Sequence, residues 1–288
     1  MNQDPSLLET LSSALTTVLL RPIEIMDYRR LSGGISNRSY LVTLHDAEYV
    51  VRLKRTGVAK VLDLGDEYAL MLHAARAGIG PELAGFDPSC GALVTVYLHR
   101  ARPWSQESAR ETANIIRMAS LLHRLHQIEA AVPAFDCEYA VSNYLHALGS
   151  IDALVVSDQH LAAELSNLAA QFARHYPCTA VCHNDLVPAN ILDDGSLTLV
   201  DYEYAVFAAP VLDLASLAAM CGFHHEHCRA LLDAYYADRT KSITALEFAK
   251  VVRMLQLMAY FWALASAKQA ADPDRYAAYL ERPGMTEK

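Results

Sequence analysis

Hydrophobic positions along the chain change period partway, and the change predicts two kinds of architecture. Residues 5–20, PSLLETLSSALTTVLL, place apolar side chains at helical spacing. From Ile23 the runs shorten. IEIMDYRRLSGGISNRSYLVTL and DAEYVVRLKR hold β-branched and aromatic stretches broken by turn formers, which predicts strand, loop, strand, turn, strand. Residues 63–78 return to helical spacing and stop at Gly78, and GALVTVYLHR predicts a further strand. Beyond Trp104 the helical period dominates. Residues 107–131 predict one long helix with Ile115, Ile116, Met118, Leu121, Leu122 and Leu125 on its apolar side. A second helix is predicted over 156–175, and helices resume from about residue 211. Between them, CHNDLVPANILDDGSLTLVDYEYA (182–205) predicts two short strands around the turn Asp193-Asp194-Gly195.

These elements predict an α+β, two-lobed chain. A small antiparallel-sheet N-lobe spans residues 1–98 and a larger, mainly helical C-lobe spans 99–288, joined near Tyr97–Trp104. No internal repeat or low-complexity linker interrupts them. The 288 residues are 53% hydrophobic, enough for a well-buried core. A net charge of -9 and a pI near 5.7 disfavour nucleic acid and anionic membrane as partners and suit a cationic small molecule. Six cysteines without a CxxC pair read as reduced thiols. The first residues lack a basic segment before an apolar one, and no apolar run approaches the ~20 residues of a membrane span, so a cytoplasmic location is expected.

The chemistry concentrates in 182–205. His183-x-Asp185-x4-Asn190 sets a carboxylate and an amide on one loop before a short strand, and Asp201 follows the next strand, a hairpin away. Asn190 and Asp201 offer the oxygen ligands that Mg²⁺ takes alongside water and phosphate. Asp185 is left to accept a proton from a substrate hydroxyl, the division of labour in phosphoryl transfer. The plainer reading is a surface hairpin whose Asp and Asn are turn formers. Three fixed positions alone are weak, but joined to a strand ending in Asp they favour the catalytic reading.

HNDLVPAN and VDYEYA resemble the choline/ethanolamine kinase and aminoglycoside phosphotransferase superfamily, a relative of the protein kinases, with the flavour of bacterial choline or thiamine kinases. The resemblance follows the element order of nearly the whole chain. It implies that Asp213, in VLDLA, braces the catalytic loop together with His183. It also implies ATP and Mg²⁺ as cofactors. LSGGISNRSYLV (31–42) lies between two strands as a phosphate-covering loop should, with Gly33, Gly34, Ser36 and Asn37 as donors. Alternation in EYVVRLKR sets Arg52 and Lys54 on one face. The resemblance gives Arg52 the nucleotide-binding place, with Glu67 as partner and Lys54 as the alternative. Adenine is expected against Thr95–Leu98, Thr95 and Tyr97 included.

AYFWALASAKQ (259–269) resembles the choline kinase segment that lines the alcohol pocket, with Trp262 at a matching place and Ala265 where a second tryptophan is common. Tyr202, Glu203 and Tyr204 could complete an aromatic, acidic pocket. His123 and His126 read as packing or capping groups, and His224, His227 and Cys228 as an exposed first helical turn. The expected activity is ATP-dependent phosphorylation of a small alcohol, choline or a related amino alcohol. The alternatives are an aminoglycoside or thiamine phosphotransferase, and a nucleotide-binding pseudokinase without turnover.

Overall fold

In β3 (Glu48–Lys54) the two-residue period decides what covers each face of the N-lobe sheet. The computed structural model describes residues 4–31, 37–54, 61–149, 154–237, 243–270 and 272–281. β3 is the centre of a five-stranded antiparallel sheet ordered β1 (Asp27–Arg30), β2 (Asn37–Thr43), β3, β5 (Ala92–Val96), β4 (Leu83–Asp87). Val51 points to one face, where Leu11, Ala14 and Leu15 of α1 (Pro5–Leu19) close a small core with Val42 and Val94. Asp4 caps α1 by accepting from the Ser6 amide, and Pro5 opens it. The helix lies directly on β4 because Gly85 has no side chain; a Cβ there would meet Val18 Cγ1 at 2.9 Å.

Arg52 points to the opposite face, which α2 (Leu64–Arg76) covers with Glu67, Leu70, Met71 and Ala74. Asp63 caps this helix, and Gly78 follows it at φ 65°, the left-handed stop that its position in the sequence predicts. The apolar side of α2 merges with the C-lobe core.

From β5 the chain runs into β6 (Arg102–Pro103), which pairs with β8 (Ile191–Asp193); β8 in turn pairs with β9 (Leu197–Leu199) across the predicted turn. The helix expected over 107–131 is two: α3 (Gln106–Arg110) and α4 (Thr112–Leu125). Glu111 separates them with extended backbone, φ −64° and ψ 127°. Periodicity sees through this break because apolar spacing resumes at once. α5 (Cys137–Leu148), not anticipated from the sequence, precedes α6 (Val156–His175). β7 (Ala180–Cys182) pairs with β10 (Val206–Ala208), and α7 (Val211–Met220), α8 (His225–Tyr236) and α9 (Ala245–Gln269) complete the lobe. A 3₁₀ helix, Pro273–Tyr279, packs back on α9. α9 is long and apolar enough to cross a membrane, but its Phe248, Met254, Leu257 and Phe261 are buried against α5, α6 and α7.

Candidate active site

Four short strands deliver the polar residues of 182–205 to one edge. β7 ends just before His183, β8 begins just after Asn190, β9 ends two residues before Asp201, and β10 leads away. Asp185 and Asn190 touch: the Asn190 amide donates to Asp185 Oδ2 at 2.9 Å and to its carbonyl at 3.0 Å. Asn184 and Asp201 hold left-handed backbone, φ 62° and 68°. Asn and Asp are the side-chain-bearing residues that tolerate this region best.

Behind the loop stands Asp213, fully buried in the first turn of α7. Its Oδ2 accepts the His183 amide at 2.9 Å and its Oδ1 the Asn184 amide at 2.8 Å. His126, the residue capping α4, brings Nε2 to 3.1 Å from Oδ2 and Nδ1 to 2.7 Å from the Tyr235 hydroxyl of α8. A carboxylate only accepts, so the ring proton facing it sits on Nε2. A buried carboxylate is tolerated where donors fill its oxygens, and here these donors are the backbone of the loop itself. His183 is buried too; its Nε2 donates to the Val200 carbonyl at 3.0 Å, and burial lowers its pKa toward the neutral ring.

On the N-lobe side Arg52 bridges the cleft. It pairs with Glu67 at 2.5 Å and with Asp201. Burial opposes its charge, but the Asp201 and Glu67 carboxylates hold the guanidinium more basic than usual. Asn37 donates to Asp201 Oδ1 at 3.2 Å and to Glu203 Oε2 at 3.0 Å. Asp185 lies among these negative groups. Burial first, then the Asp201 and Glu203 charges, push its pKa up to about 7, against the Asn190 hydrogen bond that lowers it. Asn190 Oδ1 and Asp201 Oδ2 carry no hydrogen bond among the described residues. Two hard oxygen donors beside crowded carboxylates fit Mg²⁺.

Two C-lobe tyrosines feel the Asp185 charge, and one of them packs on Trp262. Trp262 of α9 meets Tyr276 and Tyr279 edge to face, both centroids at 5.5 Å. Burial and then the Asp185 charge raise the Tyr279 pKa. Burial, Cys137 and Asp185 push that of Tyr144, on α5, up to about 12. Arg275 lies over the buried Tyr276 ring at 4.9 Å.

Residues 27–250 match the family described as "Phosphotransferase enzyme family", over more than half of the chain. The chain belongs to this family. Protein LicA of Haemophilus influenzae is 26% identical over 229 residues, covering 78% of this chain and 67% of that protein. Homoserine kinase of Methylobacillus flagellatus is 27% identical over 263 residues, covering 83% and 79%. The crystal structure of choline kinase LicA from Streptococcus pneumoniae superposes with a TM-score of 0.80 at 20% identity, covering 96% of this chain and 98% of that one, which shows the same protein-kinase-like fold.

For a phosphotransferase the geometry refines the expected site. Asp185, Asn190 and Asp201 meet at one edge, His183 and Asp213 lie behind it, and Arg52 faces Glu67. Asn37 departs from expectation: both hydrogens of its amide go to carboxylates, not outward to a phosphate. Tyr202, expected in the alcohol pocket, is wholly buried with its ring 4.6 Å from His183, because the loop between β9 and β10 turns it into the C-lobe core. Glu203 likewise is buried on the Asn37 side rather than beside Trp262. Tyr97 gives its amide to the Glu48 carbonyl and Val96 to that of Glu82, so the sheet already uses these two connector donors, while Thr95 lies within β5. Gly33, Gly34 and Ser36 lie outside the described residues. His123 stacks on Tyr235 at 4.2 Å as a packing residue, and His224 and His227 form a capping box that opens α8.

Sequence reasoning missed Tyr144, Tyr276 and Tyr279. The last two carry a signal: three-residue spacing stacks side chains on one side of a 3₁₀ helix. Tyr144 has none, since α5 was not anticipated.

Proposed function

We propose that this phosphotransferase uses ATP to phosphorylate the hydroxyl of a small cationic alcohol of the choline type. One observation carries the substrate: Tyr144 and Tyr279 feel the charge of the half-buried Asp185, and Trp262 packs edge to face on Tyr279, an aromatic group at the base. A quaternary ammonium cannot donate a hydrogen bond, and aromatic faces recognise it at roughly 0.5–2 kcal/mol each. The names of the relatives, choline kinase among them, support the same class.

In this reading Asp185 orients the alcohol and takes its proton; a carboxylate whose pKa is about 7 suits that task at neutral pH. Asn190 and Asp201 hold Mg²⁺, which when bound supplies charge to the transferring phosphoryl group. Arg52, steadied by Glu67, turns its guanidinium toward the phosphates; its planar fork matches their oxygens. Gly33, Gly34 and Ser36 are the proposed phosphate-covering residues, and the connector after Thr95 receives the base. Asp213 and His183 hold the loop so that Asp185 meets the oxygen at a fixed angle. The reading places the enzyme in the cytoplasm, where Mg·ATP is available.

The test is a panel of choline, ethanolamine, homoserine, thiamine and kanamycin incubated with protein and Mg·ATP, with ADP release followed. The expected result is strongest stimulation by choline or ethanolamine. Stimulation by none of the alcohols above the rate with water alone overturns the reading. Stimulation by kanamycin alone moves the substrate to the aminoglycosides.

A further inference from the structure

We infer that Asn37 is a positioning residue that aims Asp201 at the metal, so that the strand leaving the phosphate-covering segment and the metal edge are set as one piece; the inference rests on the kinase reading above. Asn37 is the first residue of β2, 2% exposed, and pairs in register with Lys54 while Ser39 pairs with Arg52. Two neighbouring N-lobe strands thus send one donor each to the same atom, Asp201 Oδ1. The second hydrogen of the Asn37 amide goes to Glu203 Oε2. A carboxylate held through one oxygen by two donors cannot swing about its side-chain bonds, and its other oxygen is presented in a fixed direction. That matters here because Asp201 sits on left-handed backbone, where the side chain's direction depends on what surrounds it.

The residue type is informative. A lysine or arginine at position 37 would bond the same two carboxylates but cancel the charge that attracts a divalent cation. A hydroxyl carries only one hydrogen. An amide satisfies both carboxylates and leaves their charge intact. A second tie crosses at the same place, where the Val61 and Leu62 amides donate to the Glu203 carbonyl at 3.3 and 3.1 Å. Ligand-orienting partners of this kind typically matter by 10- to 100-fold in metal affinity.

The experiment measures binding, not turnover. ADP is titrated calorimetrically into wild type, Asp201→Ala, Asn37→Ala and Asn37→Ser, each with and without Mg²⁺, and each variant's melting temperature is recorded. Wild type is expected to bind ADP more tightly with Mg²⁺, and Asp201→Ala to lose that gain. Asn37→Ala is expected to lose roughly tenfold of metal-dependent affinity while its metal-free affinity stays at the wild-type level. Asn37→Ser, with less volume removed and one donor kept, is expected to fall between them and serves if the alanine variant does not fold. If Asp201→Ala keeps the Mg²⁺ gain, the metal assignment of the kinase reading fails. If Asp201→Ala loses the gain and both Asn37 variants retain it, this inference alone is overturned, whatever their melting temperatures. Equal weakening of Asn37→Ala with and without Mg²⁺ also overturns it, since that is the mark of a direct phosphate donor.

Discussion

On one side of Asp185 lie Asn190, Asp201, Asn37 and Arg52, tied by directed hydrogen bonds and ion pairs that run across the lobes. A second group, Tyr144 and Tyr279, feels the Asp185 charge, and Trp262 packs edge to face on Tyr279; these rings come from three C-lobe elements. The first side has strict geometry, because a donor displaced by an ångström no longer bonds. The second has loose geometry, because a ring face attracts a cation over a broad range of positions. Under the proposed function the two groups answer to different pressures: the polar edge would fix the reaction, and the aromatic residues could be resized for another alcohol without disturbing it.

Variants that separate rate from substrate affinity sharpen this contrast. The largest effect is expected for Asp185→Asn, which keeps the shape and removes the base. Its kcat should fall by about 10²–10⁴ while calorimetric nucleotide affinity is held; a kcat within a few-fold of wild type breaks the polar half of the comparison. Asp213→Ala comes next. It strips the acceptors from the His183 and Asn184 amides and from His126, and a tenfold or greater fall in kcat is expected with a lower melting temperature. Wild-type kcat in that variant would mean that the loop holds itself.

On the aromatic side, Trp262→Ala should raise KM for choline about tenfold and leave KM for ATP unchanged. Equal changes in both constants would place the ring in the scaffold rather than the pocket. Tyr279→Phe keeps the face and loses the hydroxyl, so a KM change under about threefold is expected; a larger one would show the phenol hydrogen-bonding the substrate.

The smallest effect is on stability alone. Asp193, at the β8–β9 turn, is held well below the usual carboxylate range by its hydrogen bonds from Arg117, helped by Trp104 and the Gly195 amide. A depressed folded-state pKa gives stability that is present above the unfolded value, near about 4, and is lost as pH falls toward the folded one. Arg117→Ala should therefore lower the melting temperature at pH 7, with the gap to wild type narrowing below about pH 4. A gap that stays constant with pH removes the ion pair from the account.

Legibility in the sequence divides along the same line. The polar edge comes from a continuous run of 24 residues whose strand ends must converge, so Asp185, Asn190 and Asp201 could be placed from spacing alone. Asn37 and Arg52 were visible as residues, but which way the Asn37 amide turns depends on carboxylates 164 and 166 positions away. Tyr202 differs from the expectation because a loop tyrosine after a strand reads alike in sequence whether it turns outward or into the core. The aromatic group was barely legible, since α5, α9 and the 3₁₀ helix meet only through tertiary packing. In the fold, sheet, hairpin and long helices followed from period. The break at Glu111 and the two-residue β6 did not, because neither disturbs the apolar spacing.

The most direct measurement is phosphorus NMR of the protein with Mg·ATP and choline. The account predicts a new phosphomonoester resonance that grows one for one with ADP, vanishes when the alcohol is omitted, and is lost in Asp185→Asn. ADP accumulating with inorganic phosphate, at a rate indifferent to choline and to Asp185, would contradict it.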